Sequence, residues 1–247
     1  MTSFLGDLLP LLSGVVDLAF PRVCVHCGEH VDGRSGFRSL CWACSLSLGR
    51  VRGPSCTTCG HPLFGPDERD HFCEHCALVK PAHREARTLV LFRGPARSLL
   101  HELKYHQGLH VLTDIRTLAK EDSRLVAWAE GGILVPVPMH PRKRRERGYN
   151  QTELIARELL GAGVGGRVEQ LLVRTTYGKS QTSFDRTTRM ANLAHAFSPR
   201  PDVRPDPAKR YILVDDVFTT GSTLGRCARA LRDAGAATVD VITFAHG

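Results

Sequence analysis

Eight of the nine cysteines fall into four C-x-x-C pairs, and that spacing restricts the first third of the chain to one kind of structure. The pairs are Cys24/Cys27, Cys41/Cys44, Cys56/Cys59 and Cys73/Cys76. The second quartet repeats the first at an offset of 32 throughout, with Gly28 and Gly60 following the opening pairs alike, so the segment is an internal duplication. A segment this short has too little apolar core to fold unaided. Four thiolates in tetrahedral arrangement suit Zn²⁺, which would supply the folding energy. Two structural Zn²⁺ ions are therefore expected, one per ribbon. A secreted disulfide framework would also be rich in cysteine. Against it, the opening FLGDLLPLLSGVVDLAF carries Asp7 and Asp17 without an early Lys or Arg, unlike a signal peptide, and the pair spacing is the metal pattern. Spacing alone admits two ligations, one quartet per ion or an interleaved set joining the first pair to the third. Loss of Cys24 or Cys73 is expected to unfold its ribbon and spare the rest. Closed four-cysteine sites leave no position for substrate, so the ribbons read as a platform. His26, His30, His61, His71 and His75 read as surface residues, and Cys227 as a core residue.

The segments on either side differ in character. Within residues 1–23, Leu5, Leu8, Leu12, Val15 and Ala19 fall near helical spacing, which predicts a docking helix interrupted near Pro10 and stopped at Pro21. Its polar face lacks the basic residues of a membrane-surface helix. No run approaches a membrane span, and reduced cysteines without a signal predict a cytoplasmic protein. With 247 residues, 42% of them hydrophobic, the natural division is a double zinc ribbon over 24–80 and an ordinary domain over 81–247. Residues 1–80 carry 7 Lys+Arg against 8 Asp+Glu, and residues 81–247 carry 26 against 17. Two zinc-thiolate sites, each a net −2, would take the first segment from −1 to −5. The ribbons are thus a poor match for nucleic acid, and contact with a protein partner or packing on the rest of the chain is favoured there.

The second informative stretch, Ile212 to Leu224, reads ILVDDVFTTGSTL. Ile212, Leu213 and Val214 predict a strand covered on both faces, with Asp215 and Asp216 at its carboxyl end. Leu224, Cys227, Ala228 and Leu231 then recur at helical spacing, closing at Gly235 before a strand over Thr238 to Phe244. Ligands of such sheets bind beyond the carboxyl ends of the strands, where a helix N-terminus gathers free N–H groups. Small residues Thr219, Thr220, Gly221, Ser222 and Thr223 would let a phosphate approach that backbone, and the acid pair would accept hydrogen bonds from a ribose diol. A receiver domain also pairs acids after a strand. It needs a phosphoacceptor and a Lys on later strands, and too little chain follows Asp216. A Walker loop is absent from the sequence.

With these residues the chain resembles a type I phosphoribosyltransferase, whose signature is four apolar residues, two acids and a T-T-G-x-T loop. The resemblance implies an α/β fold with a mostly parallel sheet flanked by helices. It also implies a site for phosphoribosyl pyrophosphate (PRPP) with Mg²⁺, Asp215 and Asp216 holding the ribose hydroxyls and Thr219 to Thr223 the 5′-phosphate.

Positive charge gathers in VPVPMHPRKRRERGYNQ. Ile133 to Val137 predicts a second buried strand, Pro138 and Pro141 a tight loop, and Arg142, Lys143, Arg144, Arg145 and Arg147 a basic loop facing the acid pair. Departing pyrophosphate needs cations, and Arg144, Arg147 and Lys104 are the candidates. The polar segment Arg174 to Asn192 is where a lid would lie. Together with the ribbons, LAFPRVCVHCG, RGPARSLLHELKY and YILVDDVFTTGSTL are similar to the competence protein F family. That resemblance implies a setting in DNA uptake. Two function classes stay open: an enzyme transferring phosphoribosyl to an acceptor, or a non-catalytic PRPP sensor or single-stranded-DNA binder acting through the basic loop.

Overall fold

Residues 21–65, 69–74, 76, 81–175 and 196–247 are described in the computed structural model. The expected docking helix over 1–23 and most of the expected lid lie outside the described residues, as does His75. One short helix, α1 (Trp42–Leu46), lies in the cysteine segment. The remainder runs β1 (Ala86–Leu91), α2 (Gly94–Tyr105), α3 (Leu112–Lys120), α4 (Ser123–Ala129), β2 (Ile133–Pro136) and α5 (Pro141–Arg147). It continues through α6 (Gln151–Gly161), β3 (Arg167–Val168), β4 (Leu172–Arg174), β5 (Phe197–Pro199), β6 (Arg210–Phe218), α7 (Ser222–Asp233) and β7 (Thr238–His246).

Five strands pair in the order β1-β7-β6-β2-β3, and every neighbouring pair is parallel. The expected α/β parallel sheet is thus present. β4 and β5 form a separate antiparallel ribbon. The centre of the sheet is apolar on both faces, as an all-parallel sheet requires. Ile212 and Val214 pack into one cluster with α2, α3 and α6, while Tyr211 and Leu213 pack into the other with α7. Side chains alternate across a strand, so consecutive residues of β6 feed opposite cores. Each fully buried Leu, Ile or Phe contributes about 1.5–3 kcal/mol of transfer free energy. Leu224, Cys227, Ala228 and Leu231 are all buried on the sheet side of α7, as their spacing predicts, and Gly235 closes that helix region with φ at +114°.

The strands differ from expectation at their ends. β6 runs on through both aspartates to Phe218, because β7 continues to His246 and offers backbone partners that far. The basic stretch is a helix rather than a loop. Pro141 takes its first turn, where a missing N–H costs nothing, and Gly148 ends it at φ +89°.

The cysteine segment packs directly on the sheet. Cys24, Cys41 and Cys44 belong to the cluster of α2 and α3, and Cys56 and Cys59 to the cluster of α7. The stretch joining the two quartets lies along β1, with Val51 N donating to Leu89 O at 2.8 Å and Leu91 N to Gly49 O at 2.7 Å. Ala86 N donates to Thr57 O at 2.8 Å. The fully buried Asp114 of α3 accepts the N–H groups of Arg38 (2.6 Å) and Ser39 (2.9 Å). Burial pushes the Asp114 carboxyl up, and those two donors oppose the shift. Removing the acceptor leaves the buried Ser39 N–H unpaired. Asp114→Ala should therefore lower the unfolding free energy of zinc-replete protein by about 1–3 kcal/mol, read from the denaturant midpoint. An unchanged midpoint would mean that this junction bears no load.

Candidate functional site

The site is built on the carboxyl end of β6 and the loop that follows. Thr219 to Thr223 leave the strand, and Gly221 takes φ +68° as the N-cap of the twelve-residue α7; the glycine has no side chain to cap the helix, and Thr220 Oγ1 accepts weakly from Ser222 N at 3.4 Å. A Cβ on Gly221 would lie 2.8 Å from the Phe218 ring, so the turn admits only glycine. Thr219, Thr220 and Ser222 are exposed, Gly221 and Thr223 half-buried, and the Thr220 and Ser222 hydroxyls are 2.9 Å apart. An uncapped helix start with bare backbone and hydroxyls is suited to an anion.

The acids do not form one cluster, because consecutive strand positions point to opposite faces. Asp216 faces α2 and α6. Its Oδ1 lies 2.9 Å from Lys104 Nζ, and its Oδ2 accepts from Gln151 Nε2 at 2.6 Å. Asp215 lies on the α7 side, where its charge reaches Cys227. Its Oδ1 accepts the Asp216 N–H at 2.9 Å. Burial, and then repulsion by Asp216, push the Asp215 carboxyl up to about 7, against the Asp216 N–H and the more distant charges of Lys104 and Arg174.

Three side-chain bonds fix the segments that carry the cations. Tyr149 donates its hydroxyl to Leu103 O, tying the turn after α5 to the residue before Lys104. Asn150 Nδ2 and Thr152 Oγ1 both donate to Val137 O, at 3.1 and 2.7 Å, which fixes the start of α6 against the end of β2. Arg147 donates to Gln151 Oε1 at 2.5 Å and is thereby one side chain removed from Asp216. Arg144 lies apart, 3.8 Å from Glu153, and lines a cleft of about 220 Å³ with Arg174 and Arg200. The structure thus brings Lys104 and Arg147 to Asp216 and sets Arg144 in a neighbouring cationic cleft. Gln151, Tyr149, Arg174 and Arg200 were missed from the sequence. Gln151 and Tyr149 lie within the GYNQ that closes the basic stretch, but nothing local shows which strand they reach.

Each cysteine quartet closes on itself, with the Sγ atoms of Cys24, Cys27, Cys41 and Cys44 within 4.8 Å of one another, and likewise those of Cys56, Cys59, Cys73 and Cys76. The interleaved alternative is excluded. Tetrahedral ligation at 2.3 Å places sulfurs about 3.8 Å apart. Cys27 and Cys41 are 3.6 Å apart and Cys59 and Cys73 4.0 Å, so the donor sets fit Zn²⁺. Of the remaining histidines named above, His26, His30 and His71 are exposed, whereas His61 is half-buried against His246.

With this geometry in place, the comparisons with known proteins are informative. A double zinc ribbon domain family matches residues 15–77. Competence protein F of Haemophilus influenzae is 26% identical over 223 residues, 88% of this chain and 94% of the relative. The chain is thus similar to competence protein F over most of its length. The DNA utilization protein YhgH of Escherichia coli is 28% identical over 218 residues, covering 82% of this chain and 94% of its own. Competence protein ComFC of Bacillus subtilis is 25% identical over 214 residues, 83% of each chain. Among solved structures, the allosteric regulatory enzyme of purine biosynthesis aligns at TM-score 0.37 and 23% identity, over 55% of this chain and 26% of that one. A hypoxanthine phosphoribosyltransferase from Staphylococcus aureus aligns at TM-score 0.34 and 13% identity, over 53% of this chain and 62% of that one. Among the described residues, no helix is long and apolar enough to cross a membrane.

Two outcomes follow from this geometry. Metal analysis of protein purified without chelator should find close to two zinc ions per chain. Five of the eight ligands lie in the cores that cover the sheet, so chelation should lower a single unfolding transition of the whole chain, seen by calorimetry. A sheet that melts unchanged after zinc removal would show that the ribbons fold alone. The second outcome concerns Asp215, whose folded pKa near 7 lies above the ordinary 3.8. The folded chain then keeps a proton that the unfolded chain releases, and wild-type stability falls as pH rises from about 4 to 7. The Tm advantage of Asp215→Asn over wild type should grow across that window and level off above it. A constant difference would return the Asp215 pKa to the ordinary range.

Proposed function

We propose that the chain binds PRPP with Mg²⁺ and transfers phosphoribosyl to an acceptor with release of pyrophosphate. The observation that carries this reading is the run from β6 into an uncapped α7, with two acids, three exposed hydroxyls and a left-handed glycine within nine residues. Thr219 to Thr223 would take the 5′-phosphate on backbone N–H groups and hydroxyls. Asp215 and Asp216 would accept from the ribose hydroxyls, and Lys104, Arg147 and Arg144 would face the pyrophosphate. In the reaction the C1–O bond breaks with its electron pair leaving on pyrophosphate, and a lone pair of the acceptor forms the new bond to C1. The chain's part is to orient the ribose and to neutralise the leaving group. Mg²⁺ would supply further charge neutralisation on the pyrophosphate oxygens.

A second reading has its own support. Asp216 is already engaged by Lys104 and Gln151, so a ribose must displace or share those partners, which suits a PRPP sensor as well as an enzyme. The exposed arginines of α5 suit single-stranded DNA, and the exposed Trp42 and Leu46 of α1 suit a protein partner for the ribbons.

Titration calorimetry with Mg²⁺-PRPP tests the shared part. Charge-assisted hydrogen bonds contribute about 1.5–3 kcal/mol each, so Asp215→Asn with Asp216→Asn should weaken PRPP by about 10² to 10⁴ fold. The same double change should leave oligonucleotide binding unchanged or slightly tighter, because it removes negative charge. Pyrophosphate release in the presence of candidate acceptors assigns the enzyme, and PRPP binding without release assigns the sensor. No measurable PRPP affinity in the wild type would overturn both.

A further inference from the structure

Val23, Trp42 and Leu46 stand 58%, 48% and 67% exposed beside the first cysteine quartet. Trp42 and Leu46 are one turn apart on α1 with Ala43 exposed between them, while Cys44 and Ser45 take the opposite, buried side, so the helix has an apolar outer face. Val23 precedes Cys24 and Trp42 follows Cys41, and those two thiols belong to one cluster. The three side chains therefore surround the same metal site.

The duplicated copy serves as an internal control. At an offset of 32 the bridge Val23–His30 recurs as Ser55–Pro62, and the bond from Val31 N to Arg22 O recurs as Leu63 N to Pro54 O, so the two copies share one backbone. Trp42 corresponds to Glu74 and Val23 to Ser55. Glu74 is exposed and charged, as a position facing water ordinarily is, and Ser55 is buried. The first copy thus places large apolar groups where the second has a charge and a covered serine. In the second copy the chain leading into the opening knuckle, Gly49 to Val51, is itself a cover, hydrogen-bonded along β1. The corresponding stretch of the first copy is 17–19.

That stretch ends the apolar series Leu5, Leu8, Leu12, Val15 and Ala19, and the double zinc ribbon match begins at residue 15, so the end of the series belongs to the same unit as the cysteines. The series lies outside the described residues. The chain joins the ribbon at Pro21, at most about 11 Å of backbone from Cys24. A helix from Leu5 to Ala19 is about 22 Å long, enough to cross α1. A face of three side chains is far smaller than the roughly 800 Å² per partner of a stable complex between separate proteins. A tethered segment needs less, because its effective concentration is about millimolar.

We propose that the segment from Leu5 to Ala19 packs as an amphipathic helix, interrupted at Pro10, across Val23, Trp42 and Leu46. Its apolar series faces α1. Asp7 and Asp17 fall off that stripe at 100° per residue and face solvent. None of these residues belongs to the site assigned to PRPP, so the contact stands or falls independently of that reading.

Full-length, zinc-replete protein labelled with 5-fluorotryptophan tests the contact, because the chain has only two tryptophans and Trp42→Phe assigns their ¹⁹F resonances. Trp128, which donates to Glu85 Oε2 at 2.8 Å, is the reference for an intact fold. The change in ¹⁹F shift between H₂O and D₂O reads contact with solvent. A bare Trp42 should show about half the change of free fluorotryptophan, in line with its 48% exposure. The expected wild-type result is a small fraction of that. Leu8→Asp with Leu12→Asp should raise it to the bare value with the Trp128 resonance unmoved, and Leu46→Asp, at an exposed position across the contact, should do the same. If the double variant displaces the Trp128 resonance, Leu46→Asp decides. A bare value in the purified wild type would overturn the proposal and leave the face to a separate protein. Protection that survives both variants would assign the cover to another element, and protection lost on dilution would assign it to a second copy. Either result would overturn the proposal as well.

Discussion

The parallel pairing of β6 with β7 is the constraint on which the rest of the molecule depends. The two nine-residue strands run in register from Arg210 opposite Thr238 to Phe218 opposite His246. Because the pairing is parallel, the chain must cross back between them, and α7 is that crossover. Its N-terminus is thereby placed beside the carboxyl end of the sheet, together with the acids of β6 and the end of β2. The same pairing separates the two aspartates in chemistry. Asp216 is turned toward α2 and α6 and meets Lys104 and Gln151, whereas Asp215 is turned toward α7 and meets mainly desolvation. Two adjacent identical residues thus meet different surroundings for a purely geometric reason.

The cysteine segment is bound into this scheme rather than appended to it. One quartet contributes to the core on the α2 and α3 face and the other to the core on the α7 face, so the segment straddles β1. Asp114 fixes the first half through two backbone N–H groups, and His83 and Ala86 meet Thr58 and Thr57 of the second. Zinc ligation and sheet packing consequently share residues. A metal held by Cys56, Cys59, Cys73 and Cys76, far from Thr220 in sequence, would help to set the wall beside Thr220 and Ser222.

The legible parts of the sequence were those whose cause is local. The apolar run of β6 and the spacing of Leu224, Cys227, Ala228 and Leu231 announce burial directly, and the duplicated cysteine spacing announces two metal sites. Pro141 misled in an instructive way, since the ring that breaks a helix interior is at home in its first turn. What the sequence did not disclose were meetings between distant segments. Gln151 and Asp216 are separated by 65 positions, and no periodicity links them. The same holds for Lys104, which a composition argument placed near pyrophosphate and which packing brings to an aspartate. His83 is a plain histidine in the sequence. Only the Thr58 carbonyl on one side and the lack of a donor among the described residues on the other set it apart.

The stretch from Gly49 to Val51 has a consequence for the life of the chain before it acquires metal. β1 is an outer strand of the sheet, and that stretch occupies its open hydrogen-bonding side. At the opposite border β3 has only two residues and offers little to pair with. A newly made chain short of zinc would have nothing to hold the cover over β1. It would present a six-residue strand, ending in the apolar run Leu89 to Leu91, with unpaired backbone groups, the template on which other chains add. Metal supply would then govern solubility as well as shape, with self-association of the nascent chain the hazard that the ribbons guard against.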